Sequence, residues 1–416
     1  MTKPVDPRAV ANLLLKEARA RGQHVSNLKL QKLLFLCHAL YLVHTGRPLV
    51  RGSFEAWQFG PVHREVYDAF KIFRAEPITE DAQRFDPVTG VRQPIALPAD
   101  RALLDVVQKV VQFYGDRSPG ELVNITHAKD GPWDHVVSAA KTNANMALKI
   151  SDEVIAERFK YLWFGKQPNF KDKEPDEDAP PLPETDLARV ALQPDDRKRI
   201  VLRAVRSFVP PHSLAPLRKV AGALHAARPS LLELPTCAWS EIEAAIRRYC
   251  GPNLHWIEPN LSLAKLLSEF NERRNIKAVE WEFPFIPVGY GAKIKFWHDF
   301  YSIQDGVPVL SFLDPRLTDG LGIFGRTFVF SAMHHNVAIG DFEGARLEII
   351  RFPMNKYTGE REVEVFTFDE RDVVPEASLN KAIDDTYKVW REILAERQAE
   401  QRRQRPTGTD DGGFGF

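Results

Sequence analysis

The sequence predicts a multidomain protein in which a mostly α-helical domain precedes an α+β domain with a largely antiparallel sheet. The chain has 416 residues, which is more than one ordinary hydrophobic core accommodates. Residues 165–185 are rich in proline and acidic residues and almost lack large aliphatic side chains, a composition typical of a linker. Strand-like alternation begins only at Val279. The predicted units are a domain at 1–164, a second domain at 186–398 and a flexible tail at 399–416.

Helical periodicity dominates the first domain. Asp6 followed by Pro7 forms an N-cap and first-turn pair, which predicts the start of a helix. Ser26 or Asn27 caps a second helix, and Gly46 ends it. A loop with a short hairpin is expected between the third and fourth helices. Further helices are predicted at residues 63–73, 100–114, 118–128, 132–141 and 151–163.

The second domain begins with helices and continues with strands. Helices are predicted at residues 195–208, 213–227, 239–250, 261–274 and 378–398. Strand patterns cover Val279–Ile286, Lys293–Ile303, Val307–Leu313, Thr327–Met333, Arg346–Phe352 and Glu362–Phe368. Asp305-Gly306 stands between two of these strands, and this dipeptide is a strong signal for a tight antiparallel hairpin.

Composition limits the classes of function. Lys plus Arg and Asp plus Glu are equal at 56 each, so no global field draws the chain to nucleic acid or to an anionic membrane. Cys37, Cys237 and Cys250 form no disulfide framework and no CxxC pair. The sequence has neither a long apolar run nor a signal-peptide pattern, which favours a cytoplasmic protein without a membrane span. No phosphate-binding glycine loop and no metal-ligand spacing is present, so neither a cofactor nor a metal is expected.

The stretch THAKDGPW, which begins at Thr126, places His, Lys, Asp and Trp side by side. A metal site would need more ligands at suitable spacing than His127 and Asp130 supply. A structural corner accounts better for the residues, because an Asp-Gly turn would precede a helix that begins at Pro132, with Trp133 covering the turn. Catalysis at this corner is the less favoured alternative.

Three segments, taken in order, resemble a known family. They are LKLQKLLFLCHALY (Leu28–Tyr41), FEAWQFGPVHREVY (Phe54–Tyr67) and LVNITHAKDGPW (Leu122–Trp133). The first resembles a Lys-Leu-Gln-Lys-Leu-Leu helix, the second an aromatic-rich extended segment followed by Gly-Pro-Val, and the third a Thr-His…Pro-Trp corner. Together they resemble the Panacea domain of the SocA- and GepA-like antitoxins, which are associated with phages and plasmids. The resemblance covers about residues 5–165.

The resemblance implies an antitoxin that neutralises a toxin by direct protein–protein contact and not by a reaction. For some members it also implies an adaptor role, in which the antitoxin delivers the toxin to an ATP-dependent protease. Aromatic side chains dominate binding hot spots, so the partner-binding candidates are Trp57, Phe59, Tyr67, His127 and Trp133. The alternative is that these residues belong to the core of the domain.

The pentapeptide Gln31–Phe35, QKLLF, resembles the short peptides that bind bacterial sliding clamps. Such peptides bind as extended segments and place a Leu and a Phe in a pocket of the clamp. Here the Leu and Phe residues follow the apolar stripe of a helix, so we expect them to lie in the core.

No family resemblance accounts for residues 186–416, and their polar residues leave an enzymatic site open. Histidine serves as acid or base, arginine stabilises phosphate charge, and Asp or Tyr assists, so a ribonuclease-like toxin is one interpretation. The catalytic candidates are Asp299, Tyr301, Arg316, His334 and Arg326. The favoured alternative is a half-exposed antiparallel sheet with polar edges.

Three functions remain open on this basis. The first is a non-enzymatic antitoxin or adaptor whose second domain enlarges or specialises its binding surface; we prefer it as the broadest statement, because it holds for the N-terminal domain whether or not the toxin is attached. The second is a natural fusion in which residues 186–416 are the toxin, captured within the same chain. The third is a DNA-binding autorepressor that uses Arg199, Arg203 and Arg206 on one face of a basic helix, although the balanced charge weighs against it.

Overall fold

The computed structural model describes a helical N-terminal region and an α+β C-terminal region, which confirms the predicted fold class. The predicted linker and tail lie mostly outside the described part of the chain. The described residues are 4–141, 146–160, 162, 182–205, 214–227, 237–289, 292–317 and 320–404.

The N-terminal region contains seven described helices and two small sheets. The helices are α1 (Pro7–Ala20), α2 (Asn27–Thr45), α3 (Arg64–Phe70), α4 (Arg101–Tyr114), α5 (Pro119–Thr126), α6 (Pro132–Ala139) and α7 (Asp152–Arg158). The strands are β1 (Phe54–Trp57), β2 (Gly60–His63), β3 (Gln83–Phe85), β4 (Arg92–Pro94) and β5 (Lys149–Ile150). Strands β2, β1 and β5 form one antiparallel sheet, and β3 pairs with β4 in a separate hairpin.

Helix α2 is the centre of this region and begins and ends where the sequence predicts. The Ser26 side chain caps its first turn by accepting a hydrogen bond from the amide of Lys29, and Gly46 ends it in a left-handed conformation. Because helices pack around α2, even Leu33, Leu34 and Phe35 on successive positions are fully buried. The clamp-peptide-like segment is therefore inside the core, as expected.

The C-terminal region combines eight described helices with seven strands. The helices are α8 (Glu184–Val190), α9 (Asp195–Ala204), α10 (Ala215–Lys219), α11 (Ala221–Leu224), α12 (Trp239–Cys250), α13 (Ile257–Arg273), α14 (Ile323–Asn336) and α15 (Glu376–Gln404). The strands are β6 (Lys277–Glu280), β7 (Ile286–Gly289), β8 (Ala292–Ile294), β9 (Phe300–Gln304), β10 (Val307–Asp314), β11 (Arg346–Arg351) and β12 (Glu364–Thr367).

A five-stranded sheet in the order β12-β11-β10-β9-β6 forms the middle layer. All neighbouring pairs are antiparallel except β10 and β11, which are parallel and joined through α14. Alternate side chains enter two different cores: Leu347 and Ile349 pack on one face, and Ile350 and Phe352 on the other. The sheet therefore lies between helical layers. Because β10 and β11 are parallel, the loop that leads from β10 to α14 lies at the edge where both strands end.

The predicted strand Thr327–Met333 is wrong, because these residues lie inside helix α14. The helix is apolar on most of its surface: residues such as Phe328, Val329 and Met333 are all buried. An apolar run of this kind has no amphipathic contrast, so its periodicity does not distinguish a buried helix from a buried strand. The predicted strand Lys293–Ile303 is likewise divided, with β8 and β9 separated by an irregular segment.

No helix in the described ranges has the length and apolar character needed to cross a membrane.

Candidate functional site

Four of the five partner-binding candidates form one aromatic cluster. The Trp57 ring lies 4.8 Å from that of Tyr67, and the Trp57 carbonyl accepts a hydrogen bond from Nε1 of Trp133 at 2.8 Å. Trp133 stacks on His127 with ring centroids 3.6 Å apart. Trp133 and His127 are buried, whereas Trp57 and Tyr67 are half-buried. Phe59 lies apart from these ring contacts at the tip of the β1–β2 hairpin and is 59% exposed.

The corner at THAKDGPW is built around a buried lysine. Lys32 is fully buried, and its Nζ donates a hydrogen bond to the Pro61 carbonyl at 2.8 Å. Burial lowers the pKa of Lys32 to about 7, because the charged ammonium loses its water. Gly60, at φ +99°, allows this close approach, since a Cβ there would stand 2.9 Å from both Lys32 Nζ and Thr126 Oγ1. The motif residues thus hold helix α2, the β1–β2 hairpin and helix α5 together.

The five catalytic candidates do not meet at one point. Asp299 accepts a hydrogen bond from Lys295, and the hydroxyl of Tyr301 donates to the Pro87 carbonyl in the N-terminal region. Arg316 binds Asp186 at 2.9 Å and, through its other terminal nitrogen, Thr185.

The two remaining candidates lie on helix α14 and contact aromatic residues in strand β12 and directly after it. The Arg326 guanidinium lies 3.9 Å from the Phe366 ring centroid, and His334 stacks on Phe368 at 5.3 Å. Arg326 and His334 are eight positions apart in sequence, and they contact different aromatic rings. The geometry of these five residues therefore does not favour a shared acid–base site.

The basic helix proposed for DNA binding is α9, and two of its three candidate arginines form ion pairs. Arg199 forms ion pairs with Glu392 and Glu396 on α15, and Arg203 also binds Glu396. Arg206 lies outside the described residues. The carboxylates of α15 therefore pair with both of these arginines.

A buried ion pair joins the two regions. The Arg8 guanidinium binds the carboxylate of Asp341 at 2.8 and 2.9 Å, and the side chains are only 6% and 13% exposed. Burial by itself lowers the pKa of Arg8, but its hydrogen bonds to Asp6 and Asp341 outweigh this and raise it. The same arginine network lowers the pKa of Asp6 to about 2, against the opposing effect of burial.

Glu65 extends this network and contacts the C-terminal region through a glycine. Glu65 binds Arg51 through both carboxylate oxygens, at 2.7 and 2.8 Å. A Cβ on Gly340 would lie 2.8 Å from the Glu65 carboxylate, so a larger residue at this position would require the Glu65 side chain to shift. Two cavities of about 540 and 650 Å³ flank this contact, and residues from both regions line each of them.

The β3–β4 hairpin reaches over the C-terminal sheet. Phe85 stacks on Trp281 with ring centroids 4.9 Å apart and an interplanar angle of 19°. Next to it, the buried Tyr301 hydroxyl donates to the Pro87 carbonyl at 3.0 Å. Burial raises the pKa of Tyr301 to about 12, which keeps the hydroxyl protonated as a donor.

A third contact is made by the segment that leads into strand β5. Met146 is fully buried within the hydrophobic core of the C-terminal region, and its amide donates to Asn380 Oδ1 at 2.7 Å. Lys149 bridges to the same region, with Nζ 3.0 Å from Glu376 and 3.1 Å from the His335 carbonyl. Ile150, in contrast, packs in the N-terminal core. The segment therefore ties the two cores together.

Comparison with known proteins divides the chain at the same place as the fold. A family model described as the sliding clamp-binding bacterial toxin SocB matches residues 185–400, and one described as antitoxin SocA-like, Panacea domain, matches residues 30–134. The chain belongs to the SocB toxin family and, in its N-terminal part, to the SocA-like Panacea antitoxins. No solved structure matches the chain.

Two proteins of Caulobacter vibrioides (strain NA1000 / CB15N) are similar to successive parts of the chain. Antitoxin SocA is 43% identical over 157 residues, which are 38% of this chain and 84% of that protein. DNA replication inhibitor toxin SocB is 34% identical over 231 residues, which are 55% of this chain and 94% of that protein. The chain is thus a natural fusion of a Panacea antitoxin domain and a SocB toxin domain.

The comparisons confirm the resemblance to the Panacea domain and support the fusion over the interpretation we preferred from sequence. The second domain is a SocB domain, and not merely an enlargement of the antitoxin surface.

Sequence reasoning missed the interdomain residues, of which Arg8, Asp341 and Met146 are the clearest. The helix cap predicted at Asp6 was a sequence signal that pointed toward this contact. The Asp6 side chain accepts a hydrogen bond from the Arg8 amide and so helps to position Arg8.

Proposed function

We propose that this fusion is a self-neutralised toxin, in which the Panacea domain holds the SocB domain inactive by direct contact within one chain. The observation that carries this proposal is the Arg8–Asp341 ion pair at the centre of the interdomain contact. A desolvated charge pair of this kind discriminates for its partner, because Asp341 would lose the guanidinium that compensates its charge and Arg8 would keep only Asp6.

The composition of the contact supports specific recognition. An ion pair, a stacked aromatic pair and a buried methionine occupy three separate places on the SocB domain. Aromatic and arginine side chains are the types that dominate the energy of protein interfaces. The hairpin and the Met146 segment extend from the Panacea domain onto the SocB domain, so both depend on the partner for burial.

Fusion lowers the affinity that the interdomain contact needs in order to remain formed. Joining two binding partners in one chain makes their association intramolecular, with an effective concentration on the order of millimolar for a short linker. A contact that would be partly dissociated between separate proteins is then formed nearly all the time. The contacts described above for the aromatic cluster around Trp57 lie within the Panacea domain, so its partner-binding role stays a proposal, and a third protein such as the protease of the adaptor hypothesis is one candidate partner.

We extend to this chain what the names of its relatives say of their action. The SocB domain would bind the sliding clamp and inhibit DNA replication once the Panacea domain no longer holds it. A ribonuclease-like action has no support from the positions of the five catalytic candidates, and autorepression has none from the paired arginines of α9.

A growth assay with three forms of the protein tests the proposal. We expect residues 182–416 to stop growth, the full chain to be harmless, and the full chain with Asp341→Arg to be toxic, because two positive charges would then face each other. Co-expression of residues 1–162 should suppress the toxicity of residues 182–416. If residues 182–416 and Asp341→Arg are both harmless although folded and expressed, the proposal fails.

A further inference from the structure

The smaller of the two interdomain cavities, with a volume of about 540 Å³, has the size of a small-molecule site. Pockets that hold small ligands measure about 300–1,000 Å³ and are frequent at domain interfaces. The Panacea domain contributes the residues before β1 and the start of α3, and the SocB domain contributes the end of α14 and the residues before β11. We call it the histidine cavity, because His63, His334 and His335 line it. Since both domains form its wall, the cavity is complete only when they are docked.

His63 supplies a buried acceptor in the wall of the histidine cavity. It is only 2% exposed, and its Nε2 donates a hydrogen bond to the Arg51 carbonyl at 2.9 Å. Because the proton is on Nε2 and burial lowers the pKa of the ring to about 4, Nδ1 carries a lone pair at neutral pH. Nδ1 has no hydrogen-bond partner among the described residues. Buried polar atoms are nearly always paired, so this nitrogen indicates a ligand with a donor group.

The charged side chains give the histidine cavity a negative wall. The Lys and Arg side chains that line it are each paired with a carboxylate, as Arg51–Glu65, Arg64–Glu55 and Lys149–Glu376. Glu343 and Glu370 also line the cavity, and neither forms an ion pair with a described residue. Burial lowers the pKa of His334, so this ring does not offset the negative charge at neutral pH. The wall therefore favours a positively charged ligand over an anion.

Apolar side chains separate the polar groups of the histidine cavity. Ile286, Leu347 and Phe368 line it, and the first two belong to the buried core of the SocB domain. A bare metal ion does not suit this wall, because the described residues place no group of three or more His, Cys, Asp or Glu side chains where they could hold one. Ammonium groups joined by methylene chains match carboxylates and an acceptor nitrogen that are separated by apolar surface.

We propose that the histidine cavity binds a linear aliphatic polyamine, with one ammonium group donating to His63 Nδ1 and another pairing with Glu343 or Glu370. The methylene chain packs on the apolar side chains between these groups. Because the ligand contacts both domains, it stabilises the docked chain by mass action. Binding itself follows from the cavity alone, whereas its consequence, a stronger neutralisation of the toxin, rests on the proposed function.

The test is isothermal titration calorimetry of the full chain with spermidine at constant ionic strength. We expect one saturable site for spermidine and none for magnesium chloride, which separates binding from general charge screening. Glu343→Gln and Glu370→Gln should each weaken binding by about threefold, and their combination by about tenfold, as for exposed ion pairs. Glu258→Gln is the matched control, because Glu258 is exposed on α13 of the same domain and does not line the cavity.

His63→Phe keeps a ring of similar size and removes the acceptor, so binding should weaken by about tenfold or more. Thermal unfolding curves establish that each variant is folded, and the two glutamate variants carry the test if His63→Phe does not fold. The opened variant Asp341→Arg should not bind spermidine, because it separates the two walls of the cavity.

A second arm measures hydrogen exchange of the β3–β4 hairpin in the full chain, which spermidine should slow. Unchanged exchange, undiminished binding by the combined glutamate variant or by the opened variant, or no binding to the full chain overturns the inference. The growth assay reads toxicity and not ligand binding, so a failed titration leaves the proposed function standing. Harmless residues 182–416 would instead contradict the proposed function and leave the ligand of the cavity in place.

Discussion

One terminal nitrogen of Arg8 contacts both carboxylate oxygens of Asp341, although 333 residues separate the two in sequence. The pair joins the first helix of the antitoxin domain to a turn after helix α14 of the toxin domain. Because the pair is largely buried, removing the Asp341 carboxylate leaves Arg8 with Asp6 as its remaining partner and a weaker contact between the domains.

Asp341→Ala is therefore expected to weaken interdomain docking by about 3 kcal/mol, the lower end of the range for a broken buried pair, since Arg8 keeps Asp6. The measurement is hydrogen exchange of the β3–β4 hairpin amides in the full chain, which reports opening of the contact. Asp305→Ala serves as control, because Asp305 is 91% exposed and its ion pair is within the toxin domain. Equal exchange in the two variants would contradict the expectation.

Gly340→Ala tests the fit between the toxin domain and Glu65. Both Gly340 and Gly344 have positive φ angles, +63° and +82°, so alanine costs about 1 kcal/mol at either. Only at Gly340 does a Cβ also meet the Glu65 carboxylate, whereas nothing lies within 4 Å at Gly344. Hairpin exchange should accelerate in Gly340→Ala and stay near wild type in Gly344→Ala. A similar effect of both variants would indicate that the contact at Glu65 is unimportant.

Tyr301→Phe separates the structural role of Tyr301 from the catalytic hypothesis. The change removes the hydrogen bond to the Pro87 carbonyl, so docking should weaken by about 1 kcal/mol. Toxicity of residues 182–416 should be unchanged, because the hydroxyl serves the antitoxin contact. Growth assays of the isolated domain and of the full chain measure both effects. Loss of toxicity in a folded Tyr301→Phe domain would favour catalysis instead.

Lys32 makes the stability of the antitoxin domain depend on pH. Its pKa is about 7 in the folded domain and near 10.5 in an unfolded chain, so the unfolded state binds more protons between these values. The free energy of unfolding should therefore rise as the pH increases from 7 to 9. Lys32→Met should reduce this rise, whereas Lys16→Met, at an exposed position on α1, should not. Hydrogen exchange of the α2 amides at pH 7 and pH 9, corrected for intrinsic exchange rates, measures this pH dependence of stability. An equal rise in the wild type and in Lys32→Met would contradict the prediction.

Local signals determined much of the fold. Asp6, Ser26 and Gly46 start and end helices as predicted, and Asp305-Gly306 forms the predicted tight turn with both residues at positive φ. These helix ends and this turn depend on residues that are close together in sequence, so they can be predicted from the local sequence. Helix α14 was missed because full burial removes the polar face that reveals helical periodicity.

The candidate site was only partly predictable. Trp57, Tyr67, His127 and Trp133 meet because they lie in one motif-bearing domain, and their role in partner binding stays a prediction. Tyr301 was selected for its chemistry, but its position under the hairpin at Pro87 depends on how the two domains dock.

The sequence by itself determined that the chain has two domains, that the first resembles a Panacea antitoxin, and which helices and turns form locally. Only the tertiary structure decided that Arg8 meets Asp341, that Phe85 covers Trp281 and that Met146 enters the toxin core. The physical reason is that periodicity records which side of an element is buried, but not which distant element covers it. Residues of an interface between domains have no shared spacing, so they become recognisable only when both surfaces are folded.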